Sequence, residues 1–234
     1  MTDKICVVVG VGPGIGAACC RLYSERGYKV AMLARSAEYL HELANTLPGD
    51  ALMLPVDITD PVAVEAAFEQ IEDWSGVVET LVYNAARGSF GSFLEVDPSQ
   101  LKKNFEVNTM GLLYSARAVA PGMLARSRGS ILVTGNTAAT RGGASFAAFA
   151  PSKSAARSLT QSMARELGPG HVHVAYLVID AAVDGPFARG LQKDKPDEFF
   201  IQPRAIAEAI WYLDQQPENC WTFEMDLRPF AEKW

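Results

Sequence analysis

The segment Val7-Val8-Val9-Gly10-Val11-Gly12-Pro13-Gly14-Ile15-Gly16 constrains the fold of this chain more than any other stretch. An apolar run enters four glycines, and a helical pattern follows at once. Glycine has no Cβ, so such a backbone turns tightly and lets a phosphate come close. The helix that follows aims its unpaired N–H groups and positive dipole end at the same place. Strand, glycine turn and helix N-terminus together predict a pyrophosphate cradle, and so a dinucleotide cofactor. The spacing is not Gly-x-Gly-x-x-Gly, because Ile15 stands where the third glycine would fall. Gly10-x-x-x-Gly14-x-Gly16 fits instead. A plain strand-to-helix connector would carry the same glycines, so the rest of the chain must decide.

The rest alternates strand and helix. Strands are predicted at 5–9, 29–34, 51–56, 79–83, 131–134, 172–179 and 221–227. Helices are predicted at 14–26 (stopped by Gly27), 37–47 (ended by Pro48-Gly49), from Asp60-Pro61, from Asp97-Pro98 to about 127, at 145–167 and at 203–215. Asp60 and Asp97 are caps, with a proline in the first turn behind each. Runs such as Ile131-Leu132-Val133 are apolar on both faces, which belongs to a parallel sheet covered by helices on both sides. The expected fold is α/β, a doubly wound parallel sheet of the Rossmann type with about seven strands. No repeat or linker divides the 234 residues, so one dinucleotide-binding domain over 1–234 is expected. Residues 181–202, with Gly185-Pro186 and Phe199-Phe200, read as either a lid over the crevice or an ordinary surface loop with one short helix.

A net charge of −6 does not suit a nucleic-acid surface. No apolar run approaches the roughly 20 residues of a membrane span. Met1-Thr2-Asp3-Lys4 leads directly into a strand rather than a secretory signal, so a cytoplasmic protein is expected. Cys6, Cys19, Cys20 and Cys220 form no Cys-x-x-Cys pair and read as small core residues in a reducing compartment. His171 and His173 alternate along a strand but lack a third ligand nearby, so no metal is expected.

The end of the second strand bears on which dinucleotide binds. An NAD site places a carboxylate there for the ribose 2′-OH. Here the chain reads Met32-Leu33-Ala34-Arg35-Ser36, with no carboxylate before Glu38. Arg35 and Ser36 offer donors for a 2′-phosphate, so NADP(H) is preferred. A solvated surface Arg35 would keep NAD(H) possible.

Gly10, Gly14 and Gly16 resemble the glycine pattern of the short-chain dehydrogenase/reductase family. Four further places agree in order along the chain. Asp57, in Val56-Asp57-Ile58, matches a residue that family uses near the adenine. Asn84-Ala85-Ala86 is similar to its Asn-Ala-Gly turn. Val107-Asn108-Thr109-Met110-Gly111 is similar to its mid-helix asparagine segment. Lys153 matches the lysine of its Tyr-x-x-x-Lys pair. The tail 221–234 resembles that of uncharacterised bacterial members. The resemblance covers essentially the whole chain and implies an oxidoreductase acting on a small-molecule substrate. It also implies a homodimer or homotetramer built through helices 97–127 and 145–167 and the last strand.

This chain departs from that pattern where the family does its chemistry. The family's tyrosine moves the substrate proton, its serine bonds the substrate oxygen, and its lysine lowers the tyrosine's pKa and holds the nicotinamide ribose. Phe149 stands at the tyrosine position and Asn136 at the serine position. A phenyl ring transfers no proton, and a positioned acid or base contributes roughly 100- to 10,000-fold in rate. Asn136 can donate to an oxygen. Thr137, Ser145 and Ser152 carry hydroxyls nearby, and Lys153 could donate a proton itself. The family's Pro-Gly turn and threonine after the sixth strand are replaced by Asp180-Ala181-Ala182-Val183-Asp184-Gly185, which leaves the Val183 backbone to meet the nicotinamide amide. Two functions stay open: an NADP(H)-dependent oxidoreductase with a non-standard proton donor, or an inactive dinucleotide-binding or scaffold protein. The hydride would pass to or from a small carbonyl, alcohol or activated alkene.

Overall fold

Ile5–Val9 is buried at every position, as a strand must be when helices cover both faces of its sheet. It forms β1 of the computed structural model, which describes residues 4–231. The expectations for the first residues and for the end of the tail fall on 1–3 and 232–234, outside the described residues. β2 (Lys29–Ala34), β3 (Ala51–Pro55), β4 (Val78–Tyr83), β5 (Gly129–Asn136) and β6 (Val172–Ile179) follow. After the short strands β7 (Ala182–Val183) and β8 (Phe200–Ile201) comes β9 (Glu224–Leu227). The main sheet has seven strands in the order β3-β2-β1-β4-β5-β6-β9, all parallel. This is the doubly wound sheet expected. The chain leaves β1 toward β2 and β3, then returns to β4 on the other side. The loops after β1 and β4 therefore diverge and leave a crevice at the strands' C-terminal ends.

Alternation along the strands builds two cores. Val7, Val9, Leu81 and Val133 face α3 (Pro61–Ser75), α5 (Gly111–Ala125) and α6 (Ala150–Leu167). Val8, Met32, Leu132 and Leu177 face α1 (Ile15–Glu25), α2 (Ala37–Ala44) and α8 (Pro203–Asp214). The caps act as expected: Asp60 accepts from the Val62 and Ala63 N–H groups at 3.0 and 3.2 Å, and Asp97 from Ser99 N–H at 2.8 Å.

Several boundaries differ from the sequence reading. The helix expected over 97–127 is α4 (Pro98–Phe105), a π-helical turn at Glu106–Met110, and α5. Such a bulge re-aims a side chain without ending the helix, and here it carries Asn108 inward. The helix expected from 145 starts at Ala150. Residues ahead of it are held in turns by a bridge to the β4–α4 loop, with Gly91 N–H donating to Ser145 O at 3.0 Å. Pro151 sits in the first turn, where its missing N–H costs nothing. The last strand starts at Glu224 rather than 221, and Trp221 stacks flat on His173 at 4.9 Å. Cys220 is exposed, whereas Cys6, Cys19 and Cys20 are buried, and burial pushes the Cys19 thiol up to about 12.

Residues 181–202 hold the one short helix expected and are tied into a strap. β7 pairs with β8 across the short helix α7 (Pro186–Leu191). Arg189 grips Asp184 with two bonds of 2.6 and 3.1 Å, reaches Asp197 at 2.5 Å and lies over the Phe200 ring at 4.1 Å. Among the described residues no helix is long and apolar enough to cross a membrane.

Candidate active site

The four glycines of the opening motif do two different jobs. Gly10 has φ +88°, and a Cβ there would lie 2.4 Å from Ala85 N. At Gly16 a Cβ would lie 2.6 Å from Gly10 O. Close backbone packing therefore explains these two. A Cβ at Gly12 or Gly14 would meet nothing within 4 Å, so the backbone there faces open space. No side chain caps the start of α1, just after Gly14; Ala17 N–H donates to Gly12 O at 3.1 Å, which leaves the Ile15 and Gly16 N–H groups ahead of it uncapped.

The space over Gly12 belongs to a cleft of about 900 Å³ along the C-terminal ends of β1 to β4. Its lining gathers Gly10, Gly12, Arg35, Ser36, Asp57, Ile58, Asn84, Ala85 and Ala86. Asn84 ties the cleft together: its Nδ2 donates to Gly10 O at 2.9 Å and its Oδ1 accepts from Thr134 Oγ1 at 3.0 Å. Ser36 caps α2 by accepting from Tyr39 N–H at 3.3 Å, which sets Arg35 beside a helix N-terminus. Asp57 accepts from Thr59 N–H and Oγ1 at 3.0 and 2.9 Å, and these bonds hold its carboxyl below the usual range. Tyr39, Arg87 and Lys103 also line the cleft and were missed in the sequence. Tyr39 lies one helical turn beyond Ser36, a spacing that signals a shared face.

Gly14, Ile15, Gly16, Asn108, Asn136, Phe149, Lys153 and Val183 do not line this cleft. Val183 instead pairs with Ile201 in the strap. Lys153 is 4% exposed and donates to Thr134 O at 3.3 Å, and burial pulls its ammonium down to about 8. Asn108 spends its whole carboxamide on protein. It accepts from Arg87 N–H at 2.9 Å and donates to Arg87 O at 2.9 Å and Ser152 Oγ at 2.8 Å. Ser152 Oγ in turn donates to Phe149 O at 2.8 Å, so that hydroxyl is committed and buried. Ser145 is exposed. The Arg87 guanidinium reaches Asn104 and Gln100, both at 2.7 Å, and Asn104 donates to Ala148 O at 2.7 Å. This network locks the β4–α4 loop to the head of α6.

Phe149 stands at the N-cap of α6 and is 6% exposed. Its ring packs against Phe90 at 5.7 Å and Phe146 at 6.2 Å. Asn136 ends β5, and its Oδ1 is buried without a partner.

The sequence profile of the short chain dehydrogenase family matches residues 4–195. An uncharacterized oxidoreductase of Staphylococcus aureus (strain USA300) is 28% identical over 233 residues, 98% of each chain. A short-chain dehydrogenase from Rhodopseudomonas palustris is 32% identical, and its crystal structure matches with a TM-score of 0.83 over 97% of this chain and 99% of that one. An alcohol dehydrogenase from the archaeon Thermococcus sibiricus, complexed with 5-hydroxy-NADP, is 28% identical. Its TM-score is 0.87 over 99% of this chain and 98% of that one. The chain belongs to the short chain dehydrogenase family and is an oxidoreductase of that type.

Proposed function

We propose that this chain is an NADP(H)-preferring oxidoreductase, a single domain over 1–234, acting on a small carbonyl, alcohol or activated alkene with a non-standard proton donor. The observation that carries the reading is the open space over Gly12 and Gly14 at the uncapped start of α1. Gly10, Gly12, Gly14, Ile15 and Gly16 would hold the pyrophosphate. Asp57 and Ile58 would flank the adenine, with Asn84, Ala85 and Ala86 along the ribose side. Arg35 and Ser36 would take a 2′-phosphate, in keeping with the NADP derivative held by the archaeal relative. Lys153 would bond the nicotinamide ribose and the Val183 backbone its amide. Bound there, NADP(H) supplies or accepts a hydride.

The chain's own groups then divide the work. Asn108 is a positioning residue, since its carboxamide is consumed in holding the Arg87 backbone and Ser152. Asn136, at the serine position, carries the donor for a substrate oxygen. Phe149, at the tyrosine position, supplies no proton. The enclosed Phe149 ring also favours a second reading, a dinucleotide binder or scaffold without turnover. A homodimer or homotetramer is proposed in either case.

The double variant Phe149→Tyr/Asn136→Ser separates the two. Carbonyl reduction measured by NADPH oxidation is expected to rise roughly 100-fold or more. A folded double variant that binds NADPH yet gains nothing would count against a retained catalytic pocket.

A further inference from the structure

A reaction at this site must place negative charge on a substrate oxygen without a tyrosine to protonate it. Two donors face that task. The Asn136 carboxamide makes no hydrogen bond with any described residue, and with Oδ1 buried its Nδ2 is the end left to donate. Lys153 Nζ has one bond, to Thr134 O, two residues before Asn136 on β5. The hydroxyl and amide groups at the head of α6 offer no relay, because Ser152 and Asn108 bond each other and the backbone. Asp180, next after the Ile179 that registers with Asn136, is held by Arg141 and Arg228, while Ala138, two residues past Asn136, packs against Phe149 and Phe146. Phe90 meets Phe146 and Phe149 edge-on, and those two rings lie tilted against each other. Phe93 and Leu94 beyond β4, and Phe187 on α7 beyond β6, are left largely exposed after the two strands that flank β5.

We propose that the bond reduced here is a carbon–carbon double bond conjugated to a carbonyl, in a largely apolar substrate, and not the carbonyl itself. The proposal rests on the dinucleotide reading above. With NADPH as the reductant, a dihydronicotinamide C–H bond would break and leave NADP⁺, and hydride addition to the β-carbon forms the new C–H bond and moves the π pair onto the carbonyl oxygen as an enolate. Asn136 and Lys153 stabilise that oxyanion by hydrogen bond and charge. The α-carbon then takes its proton from water, so no positioned phenol is needed and the product is the saturated ketone. Direct reduction of the carbonyl would leave an alkoxide, far more basic than an enolate, and that step is the one a missing acid penalises.

The test uses the full chain with NADPH carrying deuterium at its transferable hydrogen and cyclohexenone as probe, with products read by mass spectrometry. Saturated ketone labelled at the β-carbon is expected. Allylic alcohol labelled at the carbonyl carbon overturns the proposal, as does absence of both products from protein that binds NADPH by tryptophan quenching. Failure to bind NADPH overturns the dinucleotide reading beneath it. A second readout needs no turnover: para-nitrophenolate mimics the enolate, and its absorption shift on binding is titrated in the presence of NADP⁺. Asn136→Leu is expected to weaken that binding by roughly tenfold or more, as loss of a charge-assisted bond does. Unchanged binding in a folded Asn136→Leu protein overturns the assignment.

Discussion

Gly12→Val is expected to leave the protein folded and weaken NADPH binding at least about 100-fold, whereas Gly10→Val destabilises the fold itself. The difference lies in what each new side chain meets. At Gly10 the Cβ would fall 2.4 Å from the Ala85 backbone nitrogen, and the residue holds φ +88°. Backbone cannot swing aside as a side-chain tip can. Strain at positive φ and overpacking each cost roughly 1–3 kcal/mol, so about 2–6 kcal/mol is expected together. That is a large share of a typical domain's stability of roughly 5–15 kcal/mol. At Gly12 a Cβ meets nothing within 4 Å. Its cost falls on whatever occupies that space, and the phosphate loses its close approach to backbone N–H groups. Thermal unfolding and NADPH titration of both variants check this. A Gly12→Val protein that binds NADPH normally would remove the cradle from this turn.

Lys153→Met is expected to raise stability at pH 7 and to cut turnover roughly 100-fold or more. Lys153 is buried, and burial lowers its ammonium from 10.5 to about 8. Between those two pH values the unfolded chain binds the proton and the folded chain does not, so stability rises as pH climbs from about 8 to 10.5. Below about pH 8 the folded protein carries the full penalty of a buried charge, on the order of 3 kcal/mol. Methionine fills a similar volume without that charge. The variant should therefore be more stable at pH 7, and its advantage should shrink to nothing above about pH 10.5. Denaturant unfolding across that pH range measures it. A lysine kept in the core at such a cost fits a functional group rather than a packing one.

The parallel sheet was legible because its strands are apolar on both faces and its caps are Asp-Pro pairs. Position along the chain also sufficed for the cleft residues that follow strands directly, such as Arg35, Asp57 and Asn84. The misses have a common cause. The π-helical turn at Glu106–Met110 arises because Asn108 bonds a loop 21 residues away, and no local pattern records that. The delayed start of α6 depends on the Gly91 bridge, again a tertiary contact. No local pattern marks Arg87, and only the fold reveals its bonds to Gln100 and Asn104. Cys220 and Cys19 are the same residue type, separated only by burial.

The most direct test of the central claim is a parallel titration of the protein with NADPH and NADH, followed by quenching of its tryptophans. Micromolar NADPH binding is expected, weakened roughly tenfold or more by Arg35→Ala, with NADH weaker and insensitive to that change. Failure to bind either dinucleotide, or equal binding of both untouched by Arg35→Ala, would contradict it.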